Sequence, residues 1–206
     1  MGQTPWNKGR KLESIPLTSD EAKRLIQQPS KRAKTGIRNA ALLAVLYRSG
    51  LRTSEALALL PADVDAENGL LRIRRGKGGK GRTVVVDTGA LALVARWIDK
   101  RAALPVNGKS KLFVTLKGRP LNSRYVRAMV ARLGRKAGIT SDDNPEKRCH
   151  PHALRHSCAS ELSREGKPLA AIRDQLGHQN ISTTSAYIAR LAPKELTDAI
   201  GDREWG

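Results

Sequence analysis

Apolar residues recur along this chain at two periods, and the switch between them marks out the elements. Across 37–49, Ile37, Ala40, Ala41, Ala44, Val45 and Leu46 fall at helical spacing, and Gly50 supplies a terminator. The run is apolar on most sides, which predicts a largely buried helix. Ahead of it, Thr18 and Glu21 form a capping-box pattern, predicting a short helix to about Gln28. Behind it, Thr53 or Ser54 is placed to cap a short helix through Leu60, which Pro61 closes. At Gly69 the pattern changes: Leu70-Leu71-Arg72-Ile73-Arg74 and Arg82-Thr83-Val84-Val85-Val86 read as two strands joined by the Gly-Lys-rich stretch 76–81. Asp63 to Asp65 is the expected short third strand. Helical spacing returns with Leu91, Val94, Ala95, Ile98 and Ala102. It returns again behind a capping Asn122, where Val126, Val130, Leu133 and Ala137 face inward and Arg124, Arg127 and Arg135 share another face. From Pro151 the chain reads as helices broken at Gly166-Lys167-Pro168 and at Gly177, with a last short helix after Pro193.

Composition supports one mainly helical domain. The 206 residues are enough for one substantial core, and 39% are hydrophobic but only 3% aromatic. A core of Leu, Ala, Val and Ile favours packed helices over a sandwich or barrel. The expected class is therefore mainly α with a small antiparallel β-sheet (α+β), preceded by a basic tail or linker remnant at 1–16.

Charge narrows the function. The chain carries 38 Lys and Arg against 19 Asp and Glu, a net +19. An excess of this size builds a positive field suited to a polyanion; nucleic acid leads, with ribosomal-type RNA binding and anionic membrane as competitors. Cys149 and Cys158 are too few for a disulfide framework, so a reducing cytosol is the default. No apolar run approaches the roughly 18 residues that cross a bilayer. No signal-peptide core opens the chain, and Met1-Gly2 is followed by Trp6 where myristoylation wants Ser or Thr. A cytoplasmic, nucleoid-associated protein with no membrane contact is expected.

The chemistry concentrates in a few places. In His150-Pro151-His152-Ala153-Leu154-Arg155-His156, helical geometry puts His152, Arg155 and His156 on one face. That is a poor way to build a core and a good way to hold an anion, since the guanidinium fork fits phosphate oxygens and imidazole exchanges protons near neutrality. Leu176-Gly177-His178 follows, with Tyr187 nine residues later. Upstream, Arg52 stands in Gly50-Leu51-Arg52-Thr53-Ser54-Glu55 with Glu55 placed to brace it, and Lys77 lies in the hairpin loop.

In these motifs the chain resembles the tyrosine recombinase (phage integrase) family, including Xer-type and fimbrial-switch recombinases. The likeness rests on Arg52, Lys77, His152 with Arg155, His178 and Tyr187 occurring in order, and covers roughly 17–192. It implies the catalytic-domain fold of DNA breaking-rejoining enzymes and site-specific recombination or integration through a 3′-phosphotyrosyl intermediate, with no metal, cofactor or ATP. Tyr187 would be the nucleophile, which needs help because a free phenol has a pKa of about 10. Arg52 and Arg155 would hold the non-bridging oxygens, and His152 would ease the phenol proton away. Lys77 would protonate the leaving 5′-oxygen, and His178 would donate a further hydrogen bond. Glu55 and His156 would support, His156 by bonding backbone near the site. Double-stranded DNA is the implied partner, with a homo-oligomer (a tetramer) on recombining DNA and room for accessory DNA-bending proteins. Phosphate contacts are expected from Arg72, Arg74, Arg75, Lys80 and Arg82 at the hairpin, and from Arg124, Arg127 and Arg135.

Competing patterns are weaker. Gly76 to Thr83 approximates a P-loop, but Arg82 stands where that motif needs Lys and the segment joins two strands. Cys149, His150, His152 and His156 are too crowded for structural zinc. Lys80 competes with Lys77 for the hairpin role. Only 51 residues precede Arg52, which fits either a trimmed chain or a minimal member without the core-binding half of a DNA clamp. Residues 193–206 are expected to meet a neighbouring protomer or fold back on their own domain. A type IB topoisomerase and a non-catalytic DNA-binding relative are the rival functions.

Overall fold

The computed structural model describes residues 15–74, 81–140 and 149–177. Its first helix, α1 (Ser19–Gln27), opens with the expected capping box: the Thr18 side chain accepts from the Glu21 N–H while Glu21 reaches back to the Thr18 N–H. Next, α2 (Lys34–Arg48) is the buried centre of the molecule. Leu42, Leu43, Val45 and Leu46 are fully enclosed, because α1, α4 (Thr88–Ala102) and α6 (Pro151–Arg164) pack around it. Gly50 then turns the chain at φ +63° into α3 (Thr53–Ala58).

The start of α3 differs from the expected Ser/Thr cap. Arg52 occupies the N-cap position, and the Glu55 carboxylate accepts its backbone N–H at 2.9 Å. Neither Thr53 nor Ser54 caps, since both already lie inside the helix. Pro61 opens a short 3₁₀ turn, Pro61–Asp63, instead of closing α3, which ends at Ala58.

The sheet has the order β1-β2-β3, all antiparallel: β1 (Val64–Asp65), β2 (Leu70–Ile73) and β3 (Arg82–Val85). Its register pairs Leu71 with Val84 and Ile73 with Arg82. Leu71, Ile73, Val84 and Val86 face the core, whereas Arg72 and Val85 face out. On the outer edge of β3, Gln175 Oε1 accepts from the Val85 N–H at 3.0 Å, and its Nε2 donates to the Val85 carbonyl at 2.7 Å.

Asp87 caps α4 by accepting from the Ala90 N–H, and its other oxygen takes Arg48 at 2.7 Å. The buried stripe of α4 is Ala90, Leu91, Val94, Trp97 and Arg101, while Ala95 and Ala102 are exposed and Ile98 is half-buried. The expected stripe was therefore rotated. Trp97 is fully buried and donates Nε1–H to the Leu112 carbonyl at 2.8 Å; Arg101 bonds the carbonyls of Ser110 and Lys111. Asn122 caps α5 (Ser123–Lys136), whose Val126, Val130, Leu133 and Ala137 are buried as expected. After α6, Gly166 turns the chain at φ +70°, and α7 (Leu169–Leu176) ends at Gly177 with φ +65°. Cys149 and Cys158 are both buried and unbridged. No described helix is long and apolar enough to cross a membrane.

Candidate active site

Three arginines converge on the end of α7. Arg155, on the buried face of α6, donates NH1 to the Gly50 carbonyl at 2.6 Å and NH2 to the Leu176 carbonyl at 2.7 Å. Arg52, at the head of α3, donates NH1 to Glu55 Oε1 at 3.0 Å and NH2 to the Gly177 carbonyl at 3.3 Å. Arg82, at the first position of β3, grips both Glu55 oxygens at 3.0 Å and also reaches the Leu176 carbonyl at 3.2 Å. Helix C-terminal carbonyls left without intrahelical partners attract such cations. The chain from α7 is thereby fixed up to the residue before His178.

Glu55 is the carboxylate of this cluster among the described residues, and it is 5% exposed. Burial alone would raise its pKa. The hydrogen bonds from Arg82 and from the Arg52 N–H, with both positive charges, bring it below the usual carboxylate range instead. Arg155 moves the other way. Its burial, then the neighbouring Arg52 charge, lower it to about 10, so it stays protonated at neutral pH. Arg52 keeps 30% of its side chain exposed, whereas Arg155 is 4% exposed. One guanidinium is thus open at the surface and one lies deep behind it.

His152 and His156 sit one turn apart on α6, their rings edge-on with centroids 4.3 Å apart. Partial burial, then the charges of Arg155 and Arg52, hold His152 below its ordinary pKa, so its neutral form dominates at pH 7. His150 caps α6, its Nδ1 accepting from the Ala153 N–H at 3.3 Å. Burial pushes both the Cys149 and the Cys158 thiols up to about 12, so neither offers a thiolate. Among the described residues no group of three His, Cys, Asp or Glu side chains could hold a metal ion.

Of the residues singled out in the sequence, Arg52, Glu55, His152, Arg155 and His156 share this region. Lys77, His178 and Tyr187, with Arg75 and Lys80, lie outside the described residues. Arg72, Arg124, Arg127 and Arg135 are exposed, and Arg74 is exposed but ion-paired with the buried Asp63 at 2.6 Å. Arg82 departs from expectation. The sequence groups it with the DNA-facing charges, whereas its side chain is 16% exposed and turned onto Glu55. A signal for this lay in strand periodicity, since Arg82 shares its face with the buried Val84 and Val86.

Residues 16–193 match the model of the phage integrase family. Among curated relatives, tyrosine recombinase XerC of Chromohalobacter salexigens is 36% identical over 184 residues, 89% of this chain and 58% of that protein. The XerC of Xanthomonas axonopodis pv. citri is 37% identical over 86% of this chain and 54% of its own length. The chain thus spans little more than half of these relatives. Among solved structures, the XerA recombinase superposes with a TM-score of 0.79 at 30% identity, over 98% of this chain and 70% of XerA. The XerH site-specific recombinase in a post-cleavage complex with its palindromic difH substrate gives 0.76 at 28% identity, over 91% of this chain and 53% of XerH.

Proposed function

The chain belongs to the phage integrase family and has the fold of a tyrosine recombinase catalytic domain, and from this we propose that it cleaves and rejoins DNA strands at specific sites through a phosphotyrosyl bond. The observation that carries the reading is the pairing of Arg52 and Arg155. Both guanidiniums are pinned to main-chain carbonyls around the end of α7, beside a His152 held neutral. Fixed donors of this kind suit a phosphate that gains charge in its transition state.

In the proposed reaction the Tyr187 hydroxyl oxygen attacks phosphorus. The phenol proton passes towards neutral His152, and the bond from phosphorus to the 5′-oxygen breaks. Lys77 supplies the proton that the leaving oxygen takes, giving a free 5′-hydroxyl and a 3′-phosphotyrosine. Attack by the 5′-hydroxyl of a partner strand reverses these steps and releases Tyr187. The phosphodiester energy is stored in the covalent bond, and Arg52, Arg155 and His178 hold the non-bridging oxygens throughout. Double-stranded DNA is the partner in this reading, in the cytoplasm, with further protomers joining on the paired sites. Accessory DNA-bending proteins fit the same scheme. The exposed Arg124, Arg127 and Arg135 of α5 supply phosphate contacts.

A nicked suicide substrate, which cannot be religated, tests this directly. Wild type should give a protein–DNA adduct on a denaturing gel and Tyr187→Phe none. An adduct surviving in Tyr187→Phe would mean another nucleophile. Firm DNA binding with no wild-type adduct would reduce the chain to a binding module.

A further inference from the structure

Arg82 belongs to a different part of the sequence from either phosphate-holding arginine, yet it touches the supports of both. Through Glu55 it meets the carboxylate that braces Arg52, and through the Leu176 carbonyl it meets the acceptor that braces Arg155. Glu55 accepts from the Arg52 side chain and N–H and from both terminal nitrogens of Arg82, so its two oxygens are shared between the two arginines. Beneath the guanidinium lies Gly177, where a Cβ would come within 2.5 Å of Arg82 Cζ. The absence of a side chain at Gly177 is what lets Arg82 lie against the end of α7. The Arg82 Nε is buried and has no hydrogen-bond partner among the described residues, a cost that a fork–fork pair with Glu55 offsets.

We infer that Arg82 is a positioning residue: acting through Glu55 and the Leu176 carbonyl, it sets the guanidiniums of Arg52 and Arg155 and the end of α7 at Gly177. The inference rests on the recombinase reading. It assigns Arg82 neither a DNA contact nor a place on the reacting phosphate. Arg82 also opens the strand that follows the segment holding Lys77, so one side chain ties that strand to α3 and α7. Lysine cannot replace it, because a single ammonium has no planar fork for the two oxygens of Glu55.

The test uses the full chain with Arg82→Lys, Glu55→Gln and the double variant. Three quantities are measured: DNA affinity against salt, the single-turnover rate of adduct formation on a nicked substrate, and arginine side-chain Nε–H NMR signals without DNA. Arg82→Lys should keep the wild-type affinity and salt slope but form adduct roughly 10- to 100-fold more slowly, the scale of a small misplacement of catalytic groups. Glu55→Gln should lose a similar factor, and the double variant much less than the product of the two, as expected of residues acting as a unit. The Arg52 and Arg155 signals should shift or broaden in Arg82→Lys. A lowered salt slope with an unchanged cleavage rate would overturn the inference and return Arg82 to the DNA surface. Fully multiplicative losses would overturn it too, as would Arg52 and Arg155 signals that stay put. The NMR readout stands even if wild type forms no adduct, an outcome that would sink the recombinase reading separately.

Discussion

The Arg155 guanidinium lies 2.7 Å from the Leu176 carbonyl, 21 residues further along the chain, and 2.6 Å from the Gly50 carbonyl, 105 residues back. A single buried side chain thus sets the gap between the end of α2 and the end of α7. Arg155 spans that gap, and Arg52 reaches its far side at the Gly177 carbonyl. Glycine is needed at both ends of it, because Gly50 and Gly177 both take positive φ.

Gly177→Ala should therefore damage the site as well as the fold. A left-handed alanine costs roughly 1–2 kcal/mol, and its Cβ would be driven against Arg82. Gly138→Ala is the matched control: it has φ +66° but nothing within 4 Å of its Cβ. Urea denaturation should show a loss of about 1–2 kcal/mol for Gly138→Ala and more for Gly177→Ala. Only Gly177→Ala should also slow adduct formation. Equal cleavage rates in the two variants would show that Gly177 matters for backbone strain alone.

On the proposed mechanism, His152 should set the acid side of the rate profile. Its pKa is depressed in the folded protein by burial and by Arg155 and Arg52. The neutral, proton-accepting form is therefore present above that lowered value and is lost as pH falls through it. With DNA below saturation, adduct formation should decline only below about pH 6.5, the ordinary imidazole value. His152→Gln should remove this limb and slow the reaction at every pH. A limb that persists in His152→Gln belongs to another group.

Asp87 should act on stability and leave the chemistry alone. Asp87→Ala removes the cap of α4 and a half-exposed ion pair with Arg48. The cap is worth about 1 kcal/mol, and the pair adds little at such exposure. Burial would raise the Asp87 pKa, but Arg48 and the Ala90 N–H outweigh it, so the folded value is depressed. A depressed carboxylate stabilises above its unfolded pKa and stops doing so as pH falls through the folded value. The wild-type advantage in denaturant should thus be full at pH 7 and vanish in acid. An advantage independent of pH would assign the effect to lost packing.

The exposed arginines of α5 make a different prediction. Alanine at Arg124, Arg127 or Arg135 should weaken DNA binding across unrelated sequences and reduce the log–log salt slope by about 1 each. Arg74→Ala should instead show mainly in stability, because it leaves the buried Asp63 carboxylate without its cation. A salt slope unchanged by all three α5 substitutions would place the DNA on another face.

How much could be read beforehand depended on whether a residue's type matched its environment. The starts of α1 and α5, the end of α2 and the bodies of β2 and β3 follow from Thr18, Asn122, Gly50 and the alternation in 70–74 and 82–86, where local chemistry and tertiary packing agree. Arg52, Glu55 and Arg155 stand out in the sequence as charges at a helix junction or on a helix with apolar neighbours, and the fold brings them together at the end of α7, with His152 on the exposed side of α6. Three of the misreadings share one cause, long polar side chains that go inward. Arg101 lies on the buried stripe of α4 with Trp97, and Arg82 lies on the core side of β3. Both are satisfied by oxygens that fall close only after folding, such as the carbonyls of Ser110 and Lys111 or the carboxylate of Glu55. Arg52 as the α3 N-cap has the same origin, because Glu55 supplies the acceptor that a Ser or Thr would have carried.

The Gln175 amide does something for β3 that no other described side chain repeats. By giving Val85 both a donor and an acceptor, it imitates the next strand of a sheet and closes the open edge. Val85 is 63% exposed in a short, β-branched run, the kind of edge on which a second chain can grow. Gln175 is therefore expected to hold a second chain off this edge. Gln175→Ala should leave the chain folded yet raise its tendency to associate further at high concentration, which light scattering would register as concentration-dependent growth absent from the wild type.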